Sequence, residues 1–211
     1  MSVRQNHPDP EDPVTKNPPQ PDMEHQRRAG IYRLLAALLR DPPSAEVLAY
    51  AGRLEGEGDR GTPLGKAFSS LALAARHVAP AELRHEYHAL FIGLGRGELV
   101  PFGSWYLTGF LMEKPLGLLR EDLRRLGFER ADDVHEPEDH IAALCEVMAY
   151  LIADGVDSDT QRHFFQTHLG NWAADFFNDL AVAQAAVFYR SVARLGRAFT
   201  DLESHYLTLH D

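Results

Sequence analysis

Apolar residues recur every three or four positions along most of this chain, and prolines and glycines divide that pattern into short segments. Ile31, Leu34, Leu35 and Leu38, for example, share one face of a predicted helix that ends before Pro42. No segment shows the turn-bounded alternation of apolar and polar residues that is typical of a β-strand. The sequence therefore predicts an all-α fold, a bundle of about nine or ten helices.

The first residues of the chain differ from the rest. Residues 1–21 hold six of the 13 prolines and almost no large apolar side chain. Such a segment cannot offset the entropy cost of ordering by burying apolar surface. We therefore predict a flexible, disordered proline-rich tail, residues 1–21, and one helical domain, residues 22–211.

Within the domain, Ser104 is predicted to cap a helix, Pro137 to open a long apolar helix, and the last helix to begin at about Val182.

Charge and cysteine content exclude several classes of protein. The 31 Asp and Glu residues exceed the 21 Lys and Arg residues, which gives a formal net charge of −10. This excess argues against a nonspecific nucleic-acid binder and favours a cationic partner. The single cysteine, Cys145, excludes an intramolecular disulfide and indicates a reducing compartment. No run approaches the roughly 20 uncharged apolar residues of a membrane helix, so we predict no membrane span and a cytoplasmic location.

Catalytic motifs are weak in this sequence. The segment His85–His88 is one residue too short for the H-E-x-x-H zinc motif. Ser104 lacks the G-x-S-x-G elbow, and Cys145 lies on the apolar stripe of a predicted helix. The glycines of Gly93–Gly97 fit neither a dinucleotide fingerprint nor a P-loop. We therefore predict no catalytic residue and no metal site, and a metal- or nucleotide-dependent enzyme is the weaker alternative.

Two junctions between predicted helices are unusual. The first joins Tyr87–Gly93 through a glycine-rich loop to Pro101–Tyr106, and it includes Trp105. The second, Glu136–Ile141, holds three acidic residues at a predicted helix start, where attraction to the helix dipole explains part of the pattern. Aromatic rings with polar tips at loop–helix junctions are typical of peptide-binding grooves. These junctions therefore indicate a binding site for a peptide.

Four motifs in this order and spacing resemble the TorD/DmsD family. They are Y-x-x-L-F-I-G, P-F-G-S-W-Y, E-P-E-D-H-I, and His168-Leu169-x-x-Trp172 followed by Phe176. Members of that family are cytoplasmic chaperones dedicated to the maturation of molybdenum oxidoreductases. The resemblance covers about residues 26 to 207, outside the proline-rich tail. Leu144 departs from it, because many relatives carry an acidic residue there, and this bears on the choice of partner.

The resemblance implies an all-helical chaperone without catalysis of its own. Such a chaperone binds the twin-arginine signal peptide and the cofactor-free form of a molybdoenzyme subunit, and it delays export until the cofactor is inserted. No stably bound cofactor is implied, only a weak interaction with guanine nucleotides or molybdopterin guanine dinucleotide. Both monomers and domain-swapped dimers are compatible with it. The family's signature positions, to which we add Trp105 as a candidate for client binding, are Tyr87, Leu90, Phe91, Gly93, Pro101, Ser104, Tyr106, Glu136, Pro137, Asp139 and His140.

A twin-arginine signal joins a cationic head to an apolar segment, so its receptor needs carboxylates beside an apolar groove. Asp139 and Glu136 are candidates for the arginine end, because guanidinium pairs well with carboxylates. The candidates for the apolar segment are Leu90, Phe91, Trp105 and Tyr106, of which the first two are equally compatible with the core.

His140 has two interpretations in this scheme. Its protonation near neutral pH could tune the pairing of Asp139 with arginine. Alternatively, His140 is an orienting hydrogen-bond partner at the helix start. A plain helical adaptor that does not bind signal peptides is the alternative to the chaperone hypothesis as a whole.

Overall fold

The computed structural model of the chain describes residues 23–93, 96–128 and 136–209. These ranges form ten α-helices: α1 Met23–Arg40, α2 Ala45–Gly52, α3 Pro63–His77, α4 Pro80–Tyr87, α5 Gly103–Thr108, α6 Lys114–Arg125, α7 Ile141–Ala153, α8 Ser158–Phe164, α9 Ala173–Val182 and α10 Tyr189–Leu209. Helices α4 and α8 each continue into a π-helical turn, His88–Ile92 and Phe165–Leu169. The described ranges contain no β-strand, so the predicted all-α fold is confirmed. The predicted tail, residues 1–21, lies outside them.

Helices α1 and α7 form the centre of the core. They pack along each other more extensively than any other pair of helices. Leu35 and Leu38 of α1 and Leu144 and Met148 of α7 are almost entirely buried. Burial of each such side chain contributes about 1.5–3 kcal/mol. Leu144, which departs from the family pattern, is therefore a core residue of this chain.

In the part of the chain that the structure describes, no helix is both long and apolar enough to cross a bilayer.

The last helix begins later than predicted. The expected start was about Val182, whereas α10 begins at Tyr189. The carboxylate of Glu86, in α4, accepts backbone N–H bonds from Val187, Phe188 and Tyr189 at 2.7, 3.0 and 2.8 Å. A side chain from a distant helix thus satisfies the donors at the start of α10.

Candidate functional site

The segments Pro101–Tyr106 and Glu136–Ile141 lie against each other. The carbonyl of Pro101 accepts a bond from the Ile141 N–H at 2.9 Å, and the Gly103 N–H donates to the Asp139 carbonyl at 2.9 Å. The Ser104 N–H donates to Oδ2 of Asp139 at 2.7 Å. Two junctions that the sequence singles out therefore form one site where α5 and α7 begin.

A cavity of about 460 Å³, which we call the Asp139 pocket, opens beside these contacts. Ser104 and Asp139 line it, and both side chains are buried, Asp139 being 3% exposed. Within the described residues, Oγ of Ser104 and Oδ1 of Asp139 have no hydrogen-bond partner. An unsatisfied buried polar atom costs about 1–3 kcal/mol, so two of them in residues that line one pocket make it a candidate ligand site.

The predicted capping role of Ser104 is wrong. Ser104 lies inside α5, whose N-cap is Phe102, and the Phe102 side chain makes no capping bond. Its backbone N–H is held instead by the Asp139 side chain. The hydroxyl of Ser104 is therefore left for the pocket rather than used by the helix.

The fourth sequence motif supports the pocket from behind. His168 lines the pocket, and its Nε2 lies 2.6 Å from Oδ2 of Asp122. The indole N–H of Trp172 donates to the His168 carbonyl at 2.8 Å. Tyr106 stacks on Trp172 with ring centroids 5.4 Å apart, and its hydroxyl donates to Asp179. This motif thus fixes the position of α5 relative to the turn that follows α8.

Three other predicted site residues lie in or against the core. Tyr87 is buried, and its hydroxyl donates to the carbonyl of Arg40, the last residue of α1, at 2.6 Å. Burial raises the pKa of Tyr87, so its hydroxyl stays a donor. Leu90 is fully buried, and Phe91 packs its ring against Tyr87 with centroids 5.0 Å apart. None of these three residues lines the Asp139 pocket.

The remaining predicted site residues lie within the two junctions. Gly93 has a φ of +62°, and an added Cβ there would overlap the carbonyl of Arg96, so this position requires glycine. Trp105 is half-buried, and the Arg96 guanidinium lies over its ring, 4.6 Å from the centroid. Glu136 is exposed and Pro137 half-buried at the start of the second junction. Neither of them lines the Asp139 pocket.

The helix predicted to open at Pro137 begins instead at Ile141, because His140 is its N-cap. Nδ1 of His140 accepts a bond from the Ala142 N–H at 3.1 Å. Burial, and then the positive charge of Arg40, lowers the pKa of His140 from 6.5 to about 4. The bond to Ala142 suits the orienting role of His140 at the helix start, and the lowered pKa argues against the alternative role through protonation near neutral pH.

We expect the chain to lose stability as the pH falls from 6.5 towards about 4. In this window the unfolded chain binds a proton at His140 that the folded chain does not. The contribution of His140 is complete above pH 6.5, and below it this residue alone lowers the free energy of unfolding by up to about 1.4 kcal/mol per pH unit. Burial also lowers the pKa of His168 to about 4, so the slope of the wild type is steeper than this. Urea unfolding between about pH 7.5 and about pH 5 measures this slope.

The variant His140→Asn is the control for that slope. Asparagine keeps an acceptor at the N-cap but does not titrate in this range. Its free energy of unfolding should therefore depend less steeply on pH than that of the wild type. Equal slopes for the two chains would contradict the assignment.

His85 and His88 belong to no group of possible metal ligands in the part of the chain that the structure describes. Among the described residues, no group of three or more His, Cys, Asp or Glu side chains is placed to hold a metal ion. Glu86, which lies between the two histidines, is engaged with the backbone at the start of α10.

Sequence reasoning missed the rim of the Asp139 pocket. Leu107 from α5, Lys114 and Leu118 from α6, and Asn171 after α8 line it, and all four side chains are exposed. These residues come from three separate parts of the chain, so no single sequence motif joins them. Leu107 and Leu118 stand out only in the structure, as leucines that the apolar core does not bury.

The described residues thus form an all-helical protein of ten helices, with a candidate ligand pocket between α5, α6 and the turn after α8. A family model described as nitrate reductase delta subunit matches residues 57–178, more than half of the chain. The chain therefore belongs to this family, the TorD family of chaperones, and the resemblance inferred from its motifs is confirmed.

Several TorD chaperones are similar to this chain over nearly their whole length. The chaperone protein TorD of Shewanella loihica is 27% identical over 203 residues, which cover 87% of this chain and 94% of that protein. The chaperone protein TorD of Vibrio vulnificus is 28% identical over 206 residues, covering 87% and 95%. A structure described as a redox enzyme maturation protein from Archaeoglobus fulgidus has a TM-score of 0.56 at 19% identity, covers 90% and 99% of the two chains, and shows the same fold.

Proposed function

We propose that this chain is a dedicated chaperone that binds the twin-arginine signal peptide and the cofactor-free subunit of a molybdenum oxidoreductase. In this role it aids insertion of the cofactor and delays export. The observation that carries the proposal is the pair of unpaired, buried oxygen atoms of Asp139 and Ser104 in one pocket. Membership of the TorD family and similarity to TorD chaperones support it.

The pocket suits an arginine side chain. A guanidinium presents five N–H donors in a planar fork, and both unpaired oxygens of the pocket can accept such bonds. Asp139 is buried, so water and salt screen its negative charge little. Lys114 at the rim is exposed, so its positive charge is screened much more strongly. The pocket therefore favours a cationic group at its base.

The expected affinity is in the micromolar range. Each well-buried anchor contributes about 1.5–3 kcal/mol, whereas ordering a flexible peptide costs about 2–5 kcal/mol or more. A dissociation constant near 1 μM corresponds to about 8 kcal/mol net, so the contacts must supply about 10–13 kcal/mol, which is the contribution of about four to nine such anchors. This affinity suits a chaperone that must release its client.

We predict that Asp139→Asn weakens binding of a synthetic twin-arginine signal peptide by about tenfold or more. The asparagine oxygen can keep the bond from the Ser104 N–H, while its amide group turns a donor towards the guanidinium. The fold is therefore retained while the acceptor for arginine is lost. Fluorescence anisotropy of a labelled peptide measures the dissociation constants.

The matched control for this variant is Glu138→Gln. It removes the same charge one residue away, where the carboxylate already pairs with Arg120 at 2.9 Å. Its affinity should stay within about twofold of the wild type. Equal affinities of the Asp139→Asn variant and the wild type would remove Asp139 from the mechanism.

The client is identified by purifying the tagged chain from its native host under anaerobic respiratory growth. Mass spectrometry of the proteins that accompany it should reveal a molybdoenzyme precursor that keeps its twin-arginine signal. Clients without such a signal would favour the helical adaptor instead.

A cytoplasmic site of action is part of this proposal, because the chaperone acts before export. The weak interaction with guanine nucleotides stays a prediction.

A further inference from the structure

Exposed apolar side chains are concentrated in one short stretch of the chain. The described residues include fourteen exposed large apolar side chains, and five of them fall within residues 107–118. They are between 40% and 72% exposed, and we call them the apolar ridge: Leu107, Phe110, Leu111, Met112 and Leu118. Scattered apolar residues on a surface are ordinary, whereas a contiguous group marks an interaction surface.

The apolar ridge begins at the wall of the Asp139 pocket. Leu107 and Leu118 belong to the ridge and also line the pocket. The rest of the ridge follows in the connection between α5 and α6. A peptide that leaves the pocket on the side of Leu107 and Leu118 therefore meets this ridge.

Hydrogen bonds fix the ridge to α5. The hydroxyl of Thr108 donates to the Ser104 carbonyl at 2.8 Å and accepts a bond from the Phe110 N–H at 3.2 Å. This places Phe110 directly after the helix that carries Ser104. The start of the ridge, as far as Phe110, is thus held next to α5 before any ligand binds, which lowers the entropy cost of binding.

Charge adds a second constraint on the partner. Residues 107–118 contain two charged side chains, Glu113 and Lys114, and their charges are opposite. The ridge as a whole is therefore neutral and apolar, in contrast to the carboxylate of Asp139 at the base of the pocket. The matching partner carries a cationic group next to an uncharged apolar segment.

We infer that the apolar ridge binds the uncharged apolar segment of the same signal peptide whose arginine enters the Asp139 pocket. This assignment rests on the function proposed above. It gives the bound peptide a direction, from the pocket past Leu107 and Leu118 towards Met112. It also moves the apolar half of the site away from Leu90 and Phe91, which pack in or against the core.

The test compares two double variants and two peptides. Phe110→Ser/Met112→Ser removes apolar side chains from the ridge, and Val182→Ser/Val187→Ser removes two that are 77% and 76% exposed at the end of α9 and in the connection after it. One peptide is a twin-arginine signal, and the other has the same length and arginines but serines in place of its apolar residues. Anisotropy measures each dissociation constant, and thermal melts verify that both variants fold.

We expect the ridge variant to bind the full signal at least about tenfold more weakly than the wild type. For the serine-substituted peptide the two should agree within about twofold, and the Val182/Val187 control should match the wild type with both peptides. A ridge variant that binds the full signal as the wild type does, or loses both peptides equally, overturns the assignment alone. A wild type that binds neither peptide overturns the proposed function as well.

Discussion

Replacing Glu203 by leucine should lower the free energy of unfolding by about 3–5 kcal/mol. Glu203 of α10 has no exposed surface. Arg28 of α1 donates to its two carboxylate oxygens, from Nε at 2.6 Å and from Nη2 at 3.0 Å. The hydroxyl of Tyr32 donates to the same carboxylate at 3.1 Å. Leucine would leave a buried guanidinium without its counter-charge, which is far more costly than losing the pair as a whole.

A double variant tests that reason directly. Arg28→Met/Glu203→Leu removes both charges, so we expect it to recover most of the stability that Glu203→Leu loses. Glu203→Gln keeps the shape and one acceptor, and it gives a measurable loss if the leucine variant does not fold. Urea unfolding at neutral pH provides the free energies.

An exposed ion pair serves as the control. Glu55 and Arg76 form a pair whose side chains are about half exposed. Glu55→Ala should therefore cost less than about 1 kcal/mol. The explanation fails if Glu203→Leu costs no more than this control, or if the double variant is as unstable as the single one.

The helices of this chain are largely predictable, because local signals specify them. The apolar stripe of α1 ends before Pro42, and α6 ends just before Gly127, which adopts a positive φ of +79°. Thr62 caps α3 through its bond to the Gly65 N–H, with proline at the first helical position. Each of these features depends on residues within one turn of the helix end, so sequence alone is sufficient.

Boundaries that depend on distant residues are not predictable in this way. The start of α10 is set by Glu86, which lies about 100 positions earlier in the chain. The start of α7 is displaced from Pro137 to Ile141 because the preceding residues pair with the segment that begins at Pro101. Neither contact has a signal in the local pattern of apolar residues.

The candidate site also combines residues that the local sequence identifies with contacts that only the fold creates. The sequence singles out Ser104 and Asp139, but their contact depends on two segments meeting in the fold. The sequence alone cannot distinguish the role of these residues from that of Tyr87. The hydroxyl of Tyr87 donates to the Arg40 carbonyl and so holds the end of α1. All three residues are buried, and only their hydrogen bonds distinguish them, because the Tyr87 hydroxyl has a partner whereas one oxygen each of Ser104 and Asp139 has none.

Glu86→Ala is the second variant for which we expect a large loss of stability, about 3–4 kcal/mol. Glu86 is buried and its carboxylate accepts three backbone N–H bonds at the start of α10. Each buried donor left without an acceptor costs about 1–3 kcal/mol. Urea unfolding measures the loss, and hydrogen exchange should become faster at the amides of Val187, Phe188 and Tyr189.

Glu98 provides the matched control for Glu86. Its carboxylate also caps backbone N–H groups, those of Gln184 and Ala185, at 2.5 and 3.0 Å, but its side chain is exposed. Water can replace it, so Glu98→Ala should cost less than about 1 kcal/mol. Similar losses for the two variants would show that burial is not what makes Glu86 important.

The Glu86→Ala variant also separates fold from binding. Glu86 precedes Tyr87, which packs near Tyr189 at the start of α10, with ring centroids 6.1 Å apart. The Asp139 pocket is built from α5, α6 and the start of α7 instead. Well below its unfolding temperature, the variant should therefore bind a twin-arginine peptide within about twofold of the wild type. A much weaker affinity would mean that the segment around Tyr87 contacts the peptide directly, and that the binding surface extends beyond the Asp139 pocket and the apolar ridge.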